Sequence, residues 1–104
     1  MTKIKKFSIL EAKKLFKGPW DPKDLVEFSR LVLRVAQFKG KYLNDKHTHD
    51  YDEFFLVLEG KIEIDTILGK FKLSSFDGII IPAGIPHQPF AKKSALVLML
   101  DRKE

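Results

Sequence analysis

No cysteine occurs in this chain of 104 residues. Disulfides, thiolate-held zinc and iron–sulfur clusters are thereby excluded, and any metal must be held by nitrogen and oxygen. Long apolar runs are missing as well. None approaches the roughly 20 residues that a membrane helix needs. The stretch M-T-K-I-K-K-F-S-I-L is basic but has neither the apolar segment nor the small-residue cleavage site of a secretory signal. These absences read as a cytoplasmic protein with no membrane partner. Acidic residues are fewer than basic ones, 14 against 19, for a net charge of +5. No basic motif interleaved with aromatics accompanies that excess, and a short strand-rich chain lacks room for a helix-turn-helix. The charge therefore reads as a solvated lysine-rich surface, with no nucleic acid as partner. Histidine is scarce too, with three in the whole chain, and their positions carry the most information.

The length suits one domain with a core of its own. Ser8 and Glu11 have capping-box spacing, and Ile9, Ala12, Leu15 and Phe16 share a helical face, so the pattern predicts a helix over Ile9–Lys17 ended by Gly18-Pro19. Trp20-Asp21-Pro22 reads as a turn or extended entry. Leu25–Phe28 fits either a helical turn or an edge strand. From Leu31 the period changes. Leu31–Phe38, Glu53–Leu58, Lys61–Ile67, Lys70–Leu73, Gly78–Pro82 and Ser94–Leu100 read as strands, with a hairpin tip at Leu68-Gly69. Short strands at regular spacing with Gly/Pro turns predict an all-β sandwich or closed barrel. The expected organisation is an N-terminal helix and arm over residues 1–30 and a β-barrel over 31–104.

The histidines are His47, His49 and His87. In a strand, residues two apart share a face, so His47 and His49 can reach one metal. Glu53 has the same parity and can join them from the next strand. Asp50 and Asp52 have the opposite parity and read as outward carboxylates that could orient the imidazoles. His87 follows Pro82-Ala83-Gly84-Ile85-Pro86, a stiff turn that can hold it over a barrel mouth. A lone buried histidine is more often a hydrogen-bonded core residue than a ligand. Here, however, every histidine falls in one pattern with a carboxylate at the right spacing. Three imidazoles and one carboxylate leave a first-row divalent metal with open positions.

These segments resemble the two motifs of the cupin superfamily. The first motif is a glycine, five residues, H-x-H, three or four residues, a glutamate, six residues and a glycine. It is matched by Gly40, His47-Thr48-His49, Glu53 and Gly60, with six residues after Gly40 instead of five. In the second, Pro82, Gly84 and His87 match, while Phe76 stands where a glycine is expected and Ala91 where an asparagine is expected. The resemblance covers Leu31 to Leu100. It implies a double-stranded β-helix, or jelly-roll barrel, with a short N-terminal helix. It also implies a single divalent first-row transition metal (Fe, Mn, Ni, Cu or Zn) on His47, His49, Glu53 and His87. The chain is similar, too, to short cupins called mannose-6-phosphate isomerase-like, but no arginine cluster near the motifs suits a phosphorylated sugar.

Two functional readings follow. One is a metal-dependent enzyme of oxygenase or isomerase type acting on a small molecule. The other is a non-catalytic barrel that binds or senses a small ligand. In both, Tyr51 and Gln88 are candidate polar pocket groups. Arg34 and Gln37 are candidates as well, but their opposite parity lets only one face inward. Phe55, Val57, Phe38 or Val35, Phe90 and Met99 are candidate wall residues, and such an apolar lining suits a small, weakly polar ligand. Phe7, Leu15, Phe16, Trp20, Leu25 and Phe28 give the N-terminal segment more apolar surface than a free tail keeps. The expectation is that it packs across a partner in a homodimer.

Overall fold

The structure is a computed structural model that describes residues 3–42 and 50–103. One short helix, α1 (Ile9–Lys13), precedes seven strands: β1 (Lys23–Phe28), β2 (Leu31–Lys41), β3 (Glu53–Glu59), β4 (Lys61–Thr66), β5 (Gly69–Ser74), β6 (Gly78–Ile81) and β7 (His87–Arg102). All pairings are antiparallel. The path runs β1-β2-β7-β3-β6, with β4 joining β7 and β5 joining β4. The fold is the all-β jelly roll with a short N-terminal helix.

β7 organises the molecule. One edge pairs with β2 from Leu31↔Arg102 to Lys41↔Phe90. Its other edge pairs with β4 at His87–Phe90 and with β3 at Leu96–Leu100. The sequence pattern starts this strand at Ser94, seven residues late. Pro89 and the polar run Lys92-Lys93-Ser94 hide its first half, because a proline argues against a central strand. Pro89 is nonetheless accommodated, opposite Ile64.

Alternation builds the core. Phe55 and Val57 on β3, Ile62 and Ile64 on β4, and Ala36 and Phe38 on β2 pack with Leu73, Ile81, Ala91, Ala95 and Val97. Burying each larger apolar side chain contributes about 1.5–3 kcal/mol. A smaller cluster of Val35, Leu96 and Ala12 lies on the outer side of β2 and β7. Helix α1 covers that side, which is why β2 is apolar on both faces.

The helix is shorter than its pattern. Ser8 caps it as predicted, accepting from the Glu11 N–H at 3.2 Å, but it ends at Lys13. Turn bonds from Leu15 to Ala12 and from Phe16 to Lys13 replace the helical ladder. So short a helix persists only where it packs. Phe16 turns inward onto the outer cluster, while Leu15 is left exposed. The ambiguous Leu25–Phe28 segment forms β1, paired to β2 from Lys23↔Val35 to Phe28↔Leu31. The hairpin tip falls at Ile67-Leu68, one residue before its expected place. Of the N-terminal apolar side chains expected to meet a partner, Phe16, Trp20 and Leu25 pack within the chain, whereas Phe7, Leu15 and Phe28 stay exposed.

Phe76 occupies the turn before β6 with φ +74°. The backbone thus adopts the left-handed conformation that favours glycine although the residue is aromatic. Hydrogen bonds from Phe76 N–H to Val57 O at 2.7 Å and from Asp77 N–H to Ser74 O at 2.9 Å hold the turn. The Asp77 carboxylate accepts from Ser74 N–H at 2.9 Å. The side chain is 82% exposed, so it contributes little burial. Left-handed strain in a bulky residue costs about 1–3 kcal/mol, and glycine adds back about 0.5–1 kcal/mol of chain entropy. Phe76→Gly is therefore expected to leave stability unchanged or raise it by about 1 kcal/mol in urea melts. A clear loss would mean that the ring makes a contact worth more than the strain.

Candidate metal and ligand site

Glu53 opens β3 and His87 opens β7, and both point into the barrel. His87 is 1% exposed and Glu53 is 8% exposed. Glu53 Oε2 lies 2.5 Å from His87 Nε2. His87 Nδ1 lies 2.9 Å from the Ile85 carbonyl, which accepts its proton. That bond keeps a proton on Nδ1 and turns Nε2 to the carboxylate, to which it donates when protonated; only on losing that proton does Nε2 offer a lone pair to a metal. Burial pulls the imidazole down. The hydrogen bonds to Glu53 and Ile85 and the Glu53 charge outweigh it, and His87 titrates above its ordinary value.

The sequence places His87 over a barrel mouth, but the structure places it inside. Extending β7 back to residue 87 carries the side chain inward opposite Thr66, and Phe55 stands edge-on to its ring at 6.1 Å. Asp52 Oδ1 accepts from the Ala83 N–H at 3.0 Å, tying the Pro82–His87 turn to the start of β3. Asp52 thus orients the turn that carries His87. Asp50 pairs with Arg102 at 3.6 Å. The other two expected ligands, His47 and His49, lie outside the described residues. Among the described residues, no three His, Cys, Asp or Glu side chains cluster to hold a metal. Glu53 and His87 nonetheless have the chemistry of half a site: a carboxylate oxygen and an oriented imidazole nitrogen converge from two strands, the donor types that first-row divalent ions accept.

A cavity of about 350 Å³ opens beside them. Its walls include Trp20, Phe38, Tyr42, Tyr51, Phe55 and Met99, with Glu53, Arg34 and Asp101 as its charged groups. Register explains the grouping, since Met99 of β7 sits between Arg34 of β2 and Phe55 of β3. Trp20 lies 4.5 Å from the Phe38 ring and 5.2 Å from Tyr42, and donates from Nε1 to the Lys39 carbonyl at 3.0 Å. Arg102 stacks over Tyr51 at 5.0 Å. Arg34 Nε donates to Asp24 at 2.6 Å and Nη1 to Asp101 at 2.7 Å. The Asp24 bond, opposed by burial and helped by Asp101, holds the guanidinium above its already high ordinary value.

Of the candidate pocket residues, Arg34, Tyr51, Phe55, Phe38 and Met99 line this cavity. Gln37 lies on the other face of β2, where it donates to Ser94 Oγ at 2.7 Å. Val35 shares that face and packs on Ala12. Gln88 and Phe90 alternate outward from His87 and Pro89, and Gln88 donates to the Tyr42 carbonyl at 3.2 Å. Val57 is plain core. Sequence reasoning misses Trp20, Pro22, Tyr42, Pro89 and Asp101 as wall residues. Trp20 gives a faint signal, being the one tryptophan, set between two prolines.

An antiparallel jelly roll that turns a carboxylate and an imidazole inward at the head of a cavity defines the class. A family model described as a cupin domain matches residues 36–101, and the chain belongs to that family. It is 35% identical over 79 residues to the uncharacterized protein YdbB of Bacillus subtilis (strain 168), covering 69% of this chain and 64% of that one. The chain thus spans less than two thirds of that relative's length. Among solved structures it is similar to a cupin-2 domain protein from Shewanella frigidimarina NCIMB 400. The TM-score there is 0.85 at 25% identity, over 92% of this chain and 93% of that one. It is also similar to a hydroquinone 1,2-dioxygenase from Sphingomonas sp. TTNP3 solved with 4-hydroxybenzoate. That match has a TM-score of 0.79 at 20% identity, over 86% of this chain and 29% of the other. No helix among the described residues is long and apolar enough to cross a membrane.

Proposed function

We propose that the protein is a metal-dependent small cupin that transforms a small, weakly polar molecule, with oxygenase chemistry favoured over isomerase chemistry. The observation that carries this reading is the convergence of Glu53 Oε2 and His87 Nε2 at the head of an aromatic-walled cavity. His47 and His49 complete the donor set, two residues apart on one segment. When bound, a divalent first-row metal supplies Lewis acidity and, for a redox-active ion, activation of O₂. Around it the chain's own residues do the rest. The Ile85 carbonyl keeps the His87 proton on Nδ1, and Asp52 holds the turn that carries His87. Trp20, Phe38 and Phe55 exclude water and pack a flat ligand. The aromatic walls and the single cation that lines the cavity among the described residues favour a planar apolar compound over a sugar phosphate, and the dioxygenase likeness in fold points the same way. Phe7, Leu15 and Phe28, exposed on one N-terminal segment, are what a second copy would cover in a homodimer.

The test is elemental analysis of the purified protein, then reloading with Fe(II) and O₂ uptake on a panel of phenols, diketones and thiols. Glu53→Gln keeps the side-chain volume and removes the anionic donor. It is expected to lower metal content at least about ten-fold. Full metal occupancy in Glu53→Gln would place the metal elsewhere. Metal-loaded wild type that consumes no O₂ on any compound would count against the oxygenase.

A further inference from the structure

We infer that Arg34, held between Asp24 and Asp101, makes the cavity of the metal-free protein favour an uncharged planar ligand that offers a hydrogen-bond acceptor over the matching carboxylate. This rests on the cavity being the ligand site of the reading above, and it goes on to the charge of the ligand. Among the described residues, Arg34 is the one cation lining the cavity. Two of its three donor nitrogens are already used, Nε on Asp24 and Nη1 on Asp101. Nη2 has no acceptor in reach among the described residues, so the guanidinium keeps one donor edge for a ligand while its charge is already more than matched. In the metal-free protein a carboxylate entering here meets Asp101 and Glu53 with no unmatched cation to receive it. A free guanidinium would instead bind it in a two-pronged grip. A neutral carbonyl or amide oxygen meets no such repulsion and accepts from Nη2. Trp20, packed on Phe38 at 4.5 Å, offers the flat surface for the ring.

The arrangement is set by the strands. Asp24 is the direct cross-strand partner of Arg34, and Asp101 lies two residues past Met99, the partner of Arg34 on β7. Asp24 and Asp101 therefore act as positioning residues. They aim the donor edge and cancel the charge that would otherwise choose an anion.

Two probes of one shape separate the cases: 4-hydroxybenzamide carries no charge and 4-hydroxybenzoate a negative one. The single tryptophan lines the cavity, so quenching of its emission reads occupancy directly. Wild-type protein titrated without added metal is expected to bind the amide about ten-fold or more tightly than the carboxylate. Asp24→Asn leaves Arg34 with one carboxylate partner and is expected to shrink the amide-over-carboxylate ratio at least about five-fold. Asp24 has a side chain 56% exposed, so this variant is a mild one for folding. Arg34→Gln is expected to weaken the amide about ten-fold with metal content unchanged. Equal or tighter binding of the carboxylate without added metal overturns the inference. So does an unchanged ratio in Asp24→Asn, or the absence of saturable quenching by any probe. Elemental analysis of the same samples reads the metal separately. Protein that holds no metal yet ranks the amide first keeps this inference and loses the metal reading.

Discussion

His87→Ala is expected to abolish metal binding and to destabilise the metal-free protein by about 3–5 kcal/mol. The two effects have separate causes. The metal is lost because Nε2, fixed by the Ile85 bond, is removed from the donor set. Stability is lost because His87 is among the largest fully buried side chains, and its deletion opens a void beside Phe55. Glu53 also stays buried with its imidazole gone. A buried carboxylate stripped of a hydrogen-bond partner carries most of its desolvation penalty uncompensated. The check is a urea melt of metal-free wild type and variant side by side, with elemental analysis of both. A variant as stable as wild type would show that the imidazole is dispensable to the core and serves the ligand site alone.

Gly60→Ala, by contrast, is expected to cost about 2–5 kcal/mol without touching the site. Gly60 joins β3 to β4 with φ +90°. A Cβ there would stand 2.9 Å from the Ser94 carbonyl oxygen and 3.1 Å from Ala95. Both obstacles belong to the backbone or the start of a side chain, so neither swings away. β7 cannot retreat either, since it is paired on both edges. Thermal melts would show a lower midpoint with metal stoichiometry preserved. An unperturbed melt would mean that β7 is free to move, and that its pairing with β3 is weaker than the register implies.

Much of this was legible in the sequence where a short-range rule applies. Strand alternation exposes β2, β3 and β4 directly, because each buries one clean face. Ser8 announces its cap. Gly60 and the Pro82–His87 turn mark the places where backbone shape matters. The hidden parts depend on what lies across the barrel. The first half of β7 reads as a polar, proline-broken loop, because Gln88, Phe90 and Lys92 face outward while His87, Pro89 and Ala91 face in. The cavity walls are likewise assembled from distant stretches. Trp20 arrives from the N-terminal arm, Asp101 from the far end of β7, and no local pattern joins them. Parity divides Arg34 from Gln37 correctly, yet only the position of α1 decides which face of β2 is covered. Phe76 was legible as a departure from the glycine motif, whereas the positive φ it adopts was not.

The long strand shared by both halves of the barrel also fixes when the molecule can form during synthesis. Leu31 pairs with Arg102, and β3 and β4 both find their partner in β7. At roughly 5–20 residues per second, several seconds pass between the emergence of β2 and that of its partner from the ribosome. During that interval β2, paired on one edge with β1 as far as Val35, presents apolar residues and the open hydrogen bonds of its other edge, while β4 and β5 can already pair as a hairpin. So non-local a topology folds slowly and all at once. The nascent chain therefore depends on its lysine-rich solvent face, and on whatever chaperones attend it, to stay apart from its neighbours until β7 arrives.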